Sequence, residues 1–335
     1  MLQRRFFADN ITKLLYLLLP LFVLSSSLFS STAPTLKSIP TVCITQITHH
    51  PSLDTIREGV VDELKSQGFL EDQSFKLIYD NAQGSSVTAA QIAQKFASYN
   101  PNVMVAITTP STQSLLRISK EYQIPVVFAG VTDPVKAKIV KSIDESNPLI
   151  VGVSDFQPIE DQLKQIKSLL PHIKTLGVLY NSSETNSQSQ VKALKQYVTG
   201  HNISIIEATV SKISDTSAAA RSLLPKVDAI FVPNDNLIVS SIDHLIVLCL
   251  QHSKPLFASD NDSVQKGALA AVCFDQYEIG RQAGKLAVKY LNGGKTSQLS
   301  VQPAEKVVRY INQSTARSMG IKIPEAYLNN SNIIQ

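Results

Sequence analysis

The chain has 335 residues, 44% hydrophobic and 17% charged, enough apolar material for two ordinary globular domains and too much for a disordered segment. The formal charge is only +4 and no dense Lys/Arg run occurs, so the charge pattern gives no footprint for a nucleic-acid partner. Cys43, Cys249 and Cys273 lie far apart, which excludes a CxxC pair or a Cys/His metal spacing. Each sits in an apolar run and reads as a small buried hydrophobe. One disulfide between two of them remains open in an oxidising compartment, with a third thiol left over.

Residues 1–33 differ from the rest. Arg4 and Arg5 precede an apolar run from Leu14 to Leu24, and Ser31-Thr32-Ala33 supplies the small residues of a cleavage site. The run is shorter than the roughly 20 residues that span a bilayer. A cleaved secretory signal is therefore expected, an uncleaved anchor being the alternative. No cysteine sits just after the run to carry a lipid, and a bacterial periplasm fits best.

Along the mature chain, strand-length apolar runs alternate with helical patterns. The first series is VCITQI (42–47), FKLIYD (75–80), VMVAIT (103–108), PVVFAG (125–130) and LIVGVS (149–154). The second is TLGVLY (175–180), ISIIEA (203–208), AIFVPN (229–234), PLFAS (255–259) and ALAAVCF (268–274). Val- and Ile-rich strands that are apolar on both faces belong in a parallel sheet covered by helices. Between them, Leu53, Ile56, Val60 and Leu64 mark one stripe of a helix that stops at Gly68. The segments 158–170 and 277–291 have the same character. The fold class is α/β, with two doubly wound parallel-sheet lobes. The stretch 153–158 reads as the first crossing between lobes, and the helix after Asp275 as a return to the first.

Ligands of open α/β sheets bind beyond the carboxyl ends of the strands, so the residues there are the candidate site. They include Thr48 in "TQITHHPSLD", Thr109 and Ser111 in "TTPSTQ", Asp133 in "VTDPV", and Asp155 after LIVGVS. In the second series they are Tyr180, Glu184 and Asn186 around "NSSETNS", Asp235 and Asn236 in "NDN", Asp260 in "DND", and Asp275. Any one of these is as readily a turn former or helix cap. Their recurrence in both series points to a polar cleft for a small ligand carrying charges of both signs. No GxSxG elbow, P-loop or GxGxxG appears, and the adjacent His49 and His50 lack the spacing of a metal pair. The pattern argues for binding without turnover, metal or cofactor.

The motifs "TQITHHPSLD", "VVFAGVTDPVKAKIV", "GVLYNSSETNS", "VPNDNLIVSS" and "GALAAVCFDQYEIGRQAGKLAVKYLNGG" together resemble the ABC-transporter substrate-binding proteins of the tryptophan/aromatic amino-acid type. The resemblance runs from about residue 40 to 325. It implies a type I periplasmic-binding-protein fold with a hinge, a monomer that binds an amino acid in the cleft, and a membrane permease and its ATPase as partners. Thr109, Ser111, Asp133, Glu184, Asn186, Asp235, Asn236 and Asp275 carry over from matching motifs. His49 with Ser52, the acidic "SDND" and Cys273 depart from the family pattern and bear on which substrate is bound. The expected division is a signal at 1–33, a first lobe of 40–153 with 274–297, and a second of 154–273 with 298–330.

For a zwitterion, Asp235 and Asp133, then Glu184, are the expected partners of the ammonium. Thr109 and Ser111, opening a helix, are the expected partners of the carboxylate. There is no Trp, so stacking falls to Tyr180, Phe156 or Phe274. Three other classes remain to be weighed. A secreted enzyme lacks a nucleophile or metal constellation, and a transcription-regulator effector domain lacks a DNA-binding head. A sensor subunit would present its ligand to a signalling receptor instead of a permease.

Overall fold

The computed structural model describes residues 39–294 and 299–335, so the signal at 1–33 lies outside the described residues. Strands β1 (Thr41–Gln46), β2 (Lys76–Asn81), β3 (Val103–Ile107), β4 (Val126–Val131) and β5 (Ile150–Ser154) come first. They are followed by β6 (Thr175–Asn181), β7 (Ser204–Val210), β8 (Ala229–Phe231), β9 (Leu256–Ala258) and β10 (Ala270–Phe274). The short β11 (Gln302–Pro303), then β12 (Val307–Asn312) and β13 (Asn332–Ile334), close the chain. They form a six-stranded sheet in the order β11-β5-β4-β3-β1-β2 and a seven-stranded sheet in the order β13-β12-β10-β9-β8-β6-β7. Every pairing is parallel except β10 with β12.

In the first lobe, helices α1 (Pro51–Ser66), α2 (Ser86–Ser98) and α3 (Thr109–Tyr122) connect the strands. In the second, α4 (Ile159–Leu169), α5 (Thr185–Val198), α6 (Thr216–Leu223), α7 (Asn236–Val239), α8 (Ile242–Gln251) and α9 (Asn261–Gln265) do so. Helix α10 (Gln276–Leu291) then returns to the first lobe and packs on α1. Strand periodicity sends alternate residues to opposite faces. Val42, Ile44, Val103 and Val105 meet Ile56 and Val60 of α1 and Ala283 and Leu286 of α10. Cys43, Met104 and Ala106 meet Ile92 and Phe96 of α2 and Leu115 of α3 on the other face. Burying each such Val, Ile or Leu contributes about 1.5–3 kcal/mol. Tyr277 to Gly284 of α10 lie almost backbone to backbone on α1, through Gly59, Gly280 and Gly284.

The chain crosses between sheets after β5, after β10 and after β11. The third crossing falls later than expected: Gln302 and Pro303 pair with Val153 and Ser154 of β5, so they belong to the first sheet, and 298–330 is not wholly second-lobe. The crossing segments are tied to one another, Asp275 N–H donating to the Lys306 carbonyl at 2.8 Å and Ala304 N–H to that of Ser154 at 2.8 Å. The cysteines are all free and buried, so no disulfide forms, and burial pushes the thiols of Cys43 and Cys249 up to about 12. Among the described residues no helix is long and apolar enough to cross a membrane.

Candidate functional site

The carboxyl ends of the two sheets face each other across a cavity with about 580 Å³ of atom-free space, its mouth included. The first lobe supplies Thr48 and His50 after β1, Leu53 and Ile56 on α1, Thr108 and Thr109 after β3, and Gly130 and Thr132 after β4. The second supplies Asn186 on α5, Asn234, Asp235, Asn236 and Val239 around α7, and Asp260 after β9. Asp155 and Gln276, at two of the crossings, complete the wall.

One side of the cavity is acidic. Asp155 is 5% exposed; its Oδ1 accepts from the Thr132 hydroxyl at 3.1 Å and its Oδ2 from Asn234 Nδ2 at 3.0 Å. Burial pushes its carboxyl up to about 7, and the Thr132 bond only partly opposes this. Asn186 donates through Nδ2 to Glu184 at 2.9 Å and to the Asn234 carbonyl at 2.6 Å. Its Oδ1 is buried without a partner among the described residues. A buried acid with lone pairs to spare and an unpaired amide oxygen both accept hydrogen bonds, which suits a cation. Asp155, Asp235 and Asp260 against the single His50 make the wall electronegative.

Another part of the wall is a helix N-terminus. Thr108 precedes α3 at φ 80° and ψ 164°, a strained conformation for a β-branched residue, and its side chain does not cap the helix. The first-turn N–H groups of α3 therefore keep their partial positive charge. The hydroxyls of Thr108, Thr109 and Ser111 are all buried and lack partners among the described residues. An unpaired buried polar group costs about 1–3 kcal/mol, so each one retained at a cleft calls for a partner such as a ligand, an ion or an ordered water. Of these, the helix N–H groups and the hydroxyls of Thr108 and Thr109 border the cavity, an arrangement suited to an anion.

Of the sequence candidates, Thr48, Thr109, Asp155, Asn186, Asp235, Asn236 and Asp260 line the cavity, whereas Ser111, Asp133, Tyr180, Glu184 and Asp275 do not. Ser111 lies buried behind Thr109 in the first turn of α3. Asp133 caps its own turn, accepting from Lys136 N–H at 2.9 Å, and accepts from the Ser189 hydroxyl of the opposite lobe at 3.2 Å. Tyr180 donates to Glu207 at 2.8 Å, away from the cleft. Glu184 accepts from Leu237 N–H at 3.1 Å and Asn236 N–H at 3.1 Å, holding the start of α7. Asp275 caps α10 and pairs with Lys306 at 2.7 Å.

Asp235 does face the cavity, but its oxygens accept from Ile238 N–H at 2.8 Å, Asn181 N–H at 2.6 Å and the Ser187 hydroxyl at 2.7 Å. Burial, then the nearby Glu184 charge, push its carboxyl up to about 7. Three donors from its own lobe leave it less free than Asp155. Asp260 likewise accepts from Ser263 N–H at 2.8 Å and the Ser263 hydroxyl at 2.7 Å. Among the described residues no Phe or Tyr lines the cavity, and Phe156 is 44% exposed. The apolar wall is Leu53, Ile56 and Val239.

Sequence reasoning missed Thr132 and Asn234, which are turn residues until Asp155 joins them across the hinge. His50, a loop histidine, also lines the cavity. The Nδ1 of His50 accepts from Ser52 N–H at 3.3 Å, capping α1, while its Nε2 lies 3.1 Å from Asp262 Oδ2 in the other lobe. His50, Asp260 and Asp262 offer donor atoms within 4.8 Å of one another, a spacing open to a cation. The Lys266 ammonium, 3.1 Å from the same Asp262 oxygen, already supplies positive charge there.

Among known proteins, the chain is 35% identical over 279 residues to a "Tyrosine-binding protein" of Clostridioides difficile (strain R20291), covering 83% of this chain and 80% of that protein. A structure described as the ABC domain in complex with L-Trp from Streptococcus pneumonia superposes with a TM-score of 0.85 at 32% identity, over 89% of this chain and 100% of the other. The ligand-free, open structure of a substrate-binding protein with adhesive properties from Clostridium difficile gives 0.69 at 32% identity, over 89% and 99%. These relatives bind solutes, and residues 41–333 match the profile of the ABC transporter substrate binding proteins; the chain belongs to that family.

Proposed function

We propose that the protein is the extracytoplasmic receptor of an ABC importer for an apolar, above all aromatic, amino acid, which it holds between its lobes without chemical change. The observation that carries this is the polarity of the cavity: an electronegative wall at Asp155 and Asn186, and an uncapped helix N-terminus at Thr108 and Thr109. An α-amino acid presents an ammonium and a carboxylate on one carbon, and these two subsites complement them. The ammonium lies against Asp155 and Asn186 Oδ1. The carboxylate accepts from the first turn of α3 and its hydroxyls. The side chain packs on Leu53, Ile56 and Val239, aliphatic surfaces that take a ring by contact with its faces instead of by stacking. The relatives named for tyrosine and found with L-Trp support an aromatic ligand.

At equal identity and coverage, the chain superposes better on the tryptophan complex than on the open, ligand-free relative. That difference supports reading the present lobe arrangement as closed, and hinge closure as the binding motion. Export by a cleaved signal at 1–33, action as a monomer, and delivery to a permease with its ATPase complete the proposal. A ligand that binds only the folded state stabilises it by about 2.7 kcal/mol at a hundredfold excess over Kd. In a thermal-shift screen of the twenty amino acids, aromatic ones should raise the midpoint most and acidic ones least. A screen in which no amino acid raises it would remove this ligand class and leave the family intact.

A further inference from the structure

Among the described residues, two polar contacts join the lobes beside the cavity. Thr108 and Thr109 follow β3, which lies between β4 and β1; Asn234 and Asp235 follow β8, which lies between β6 and β9. The loop after β4 reaches the helix after β6 through Asp133 and Ser189. The loop after β1 reaches the helix after β9 through His50 and Asp262. The contacts therefore flank the cavity, one on each side.

The second contact is the more committed. The side chains of His50 and Asp262 are 5% and 11% exposed, so separating the lobes returns both to water. Because Ser52 N–H donates to Nδ1, the neutral imidazole carries its proton on Nε2, the atom facing Asp262. Burial pushes the Asp262 carboxyl up, but the contacts from His50 and Lys266 more than offset this and hold it below the usual range. An ionised carboxylate thus faces an N–H donor across the lobe boundary, with Lys266 balancing its charge at 3.1 Å. The Nε2 and Oδ2 atoms meet at 3.1 Å, at an angle short of a well-formed hydrogen bond. Asp262 itself does not line the cavity.

We infer that His50 and Asp262 form a closing latch, a contact made only when the lobes meet, through which Asp262 acts as a positioning residue and prolongs ligand residence without touching the ligand. The inference rests on hinge closure, and on the amino-acid reading only for the choice of probe. A contact present in the closed state alone shifts the closed-to-open ratio by its own strength, and the apparent affinity shifts with it.

The test is stopped-flow dissociation of L-tryptophan and L-tyrosine from wild type, Asp262→Ala and Asp262→Asn. Asp262→Ala should release ligand about tenfold faster, with an association rate within about twofold of wild type. Asp262→Asn keeps an oxygen for the Nε2 proton and should fall between the two, a graded rescue that loss of folding would not produce. Equal dissociation rates in wild type and Asp262→Ala overturn the latch. Failure of both amino acids to bind wild type overturns the amino-acid reading instead, and the latch is then read from the interlobe distance of ligand-free protein. There Asp262→Ala must lower the fraction of closed molecules in the distance distribution, and an unchanged closed fraction overturns it.

Discussion

Replacing Gly280 by alanine should destabilise the protein by about 3 kcal/mol or more, near the upper end for overpacking, and lower its thermal midpoint by roughly 6–10 °C. In isolation the change would favour a helix by about 1 kcal/mol. Packing reverses the sign: a Cβ on Gly280 would lie 2.1 Å from the Ile56 carbonyl oxygen and 2.9 Å from Gly59 Cα. These are backbone atoms, which cannot rotate away. Relief requires α1 and α10 to separate, and α1 carries Leu53 and Ile56 of the cavity wall. Ligand affinity should therefore fall with stability. Gly200→Ala is the control: nothing lies within 4 Å of its added methyl, and only the left-handed φ of 87° is lost, at about 1 kcal/mol. Denaturant unfolding of both variants reads the difference. A Gly280→Ala protein as stable as wild type would mean that the helices do not approach this closely.

The second large effect concerns Asp155. Charge-assisted hydrogen bonds contribute about 1.5–3 kcal/mol, so Asp155→Asn should weaken amino-acid binding roughly tenfold to a hundredfold. The pH dependence has a definite sign. The folded carboxyl titrates at about 7, above its ordinary 3.8, so the ligand-free fold holds a proton that the unfolded chain has released across that window. This group's contribution to stability is therefore present at low pH and lost as pH rises towards 7. The ligand ammonium favours the carboxylate, so wild-type affinity should rise with pH through that range. In Asp155→Asn the part of this slope due to Asp155 disappears, while Asp235 remains in both proteins. Above pH 7 the ligand-free variant should also be more stable than wild type, because a buried charge has gone. Calorimetry and thermal unfolding across pH 5.5–8.5 (about one and a half units beyond the carboxyl on either side) check both. Unchanged affinity with unchanged slope would move the ammonium away from Asp155.

These residues also show where sequence reading succeeds. β1, β3, β4 and β6 are legible because Val- and Ile-rich runs between turn residues leave few alternatives. β12, "VVRYIN", is half-buried, antiparallel to β10 and near the sheet edge, so its pattern in the sequence is weak. β11 is two residues long and carries no periodic signal at all. At the site, strand-end position identifies which side chains approach the cleft but not which lone pairs are already taken. Glu184, Asp275 and Asp155 look alike in sequence. The first two are held by backbone N–H groups of α7 and α10, and only Asp155 keeps capacity facing the cavity. The left-handed Thr108 and the approach of Asp262 to His50 arise from tertiary structure. "FAGVTDPV" divides the same way: Gly130 and Thr132 line the cavity, while Asp133 turns the chain and touches the other lobe.

In the proposed complex the cavity recognises both charges of a free α-amino acid. Titration calorimetry of the purified protein with L-tryptophan, N-acetyl-L-tryptophan and L-tryptophanamide tests it most directly, since the derivatives remove the ammonium and the carboxylate one at a time. The free amino acid should bind, and each derivative should lose at least about tenfold, the size of one charge-assisted contact. Derivatives that bind as tightly as the free amino acid would contradict it.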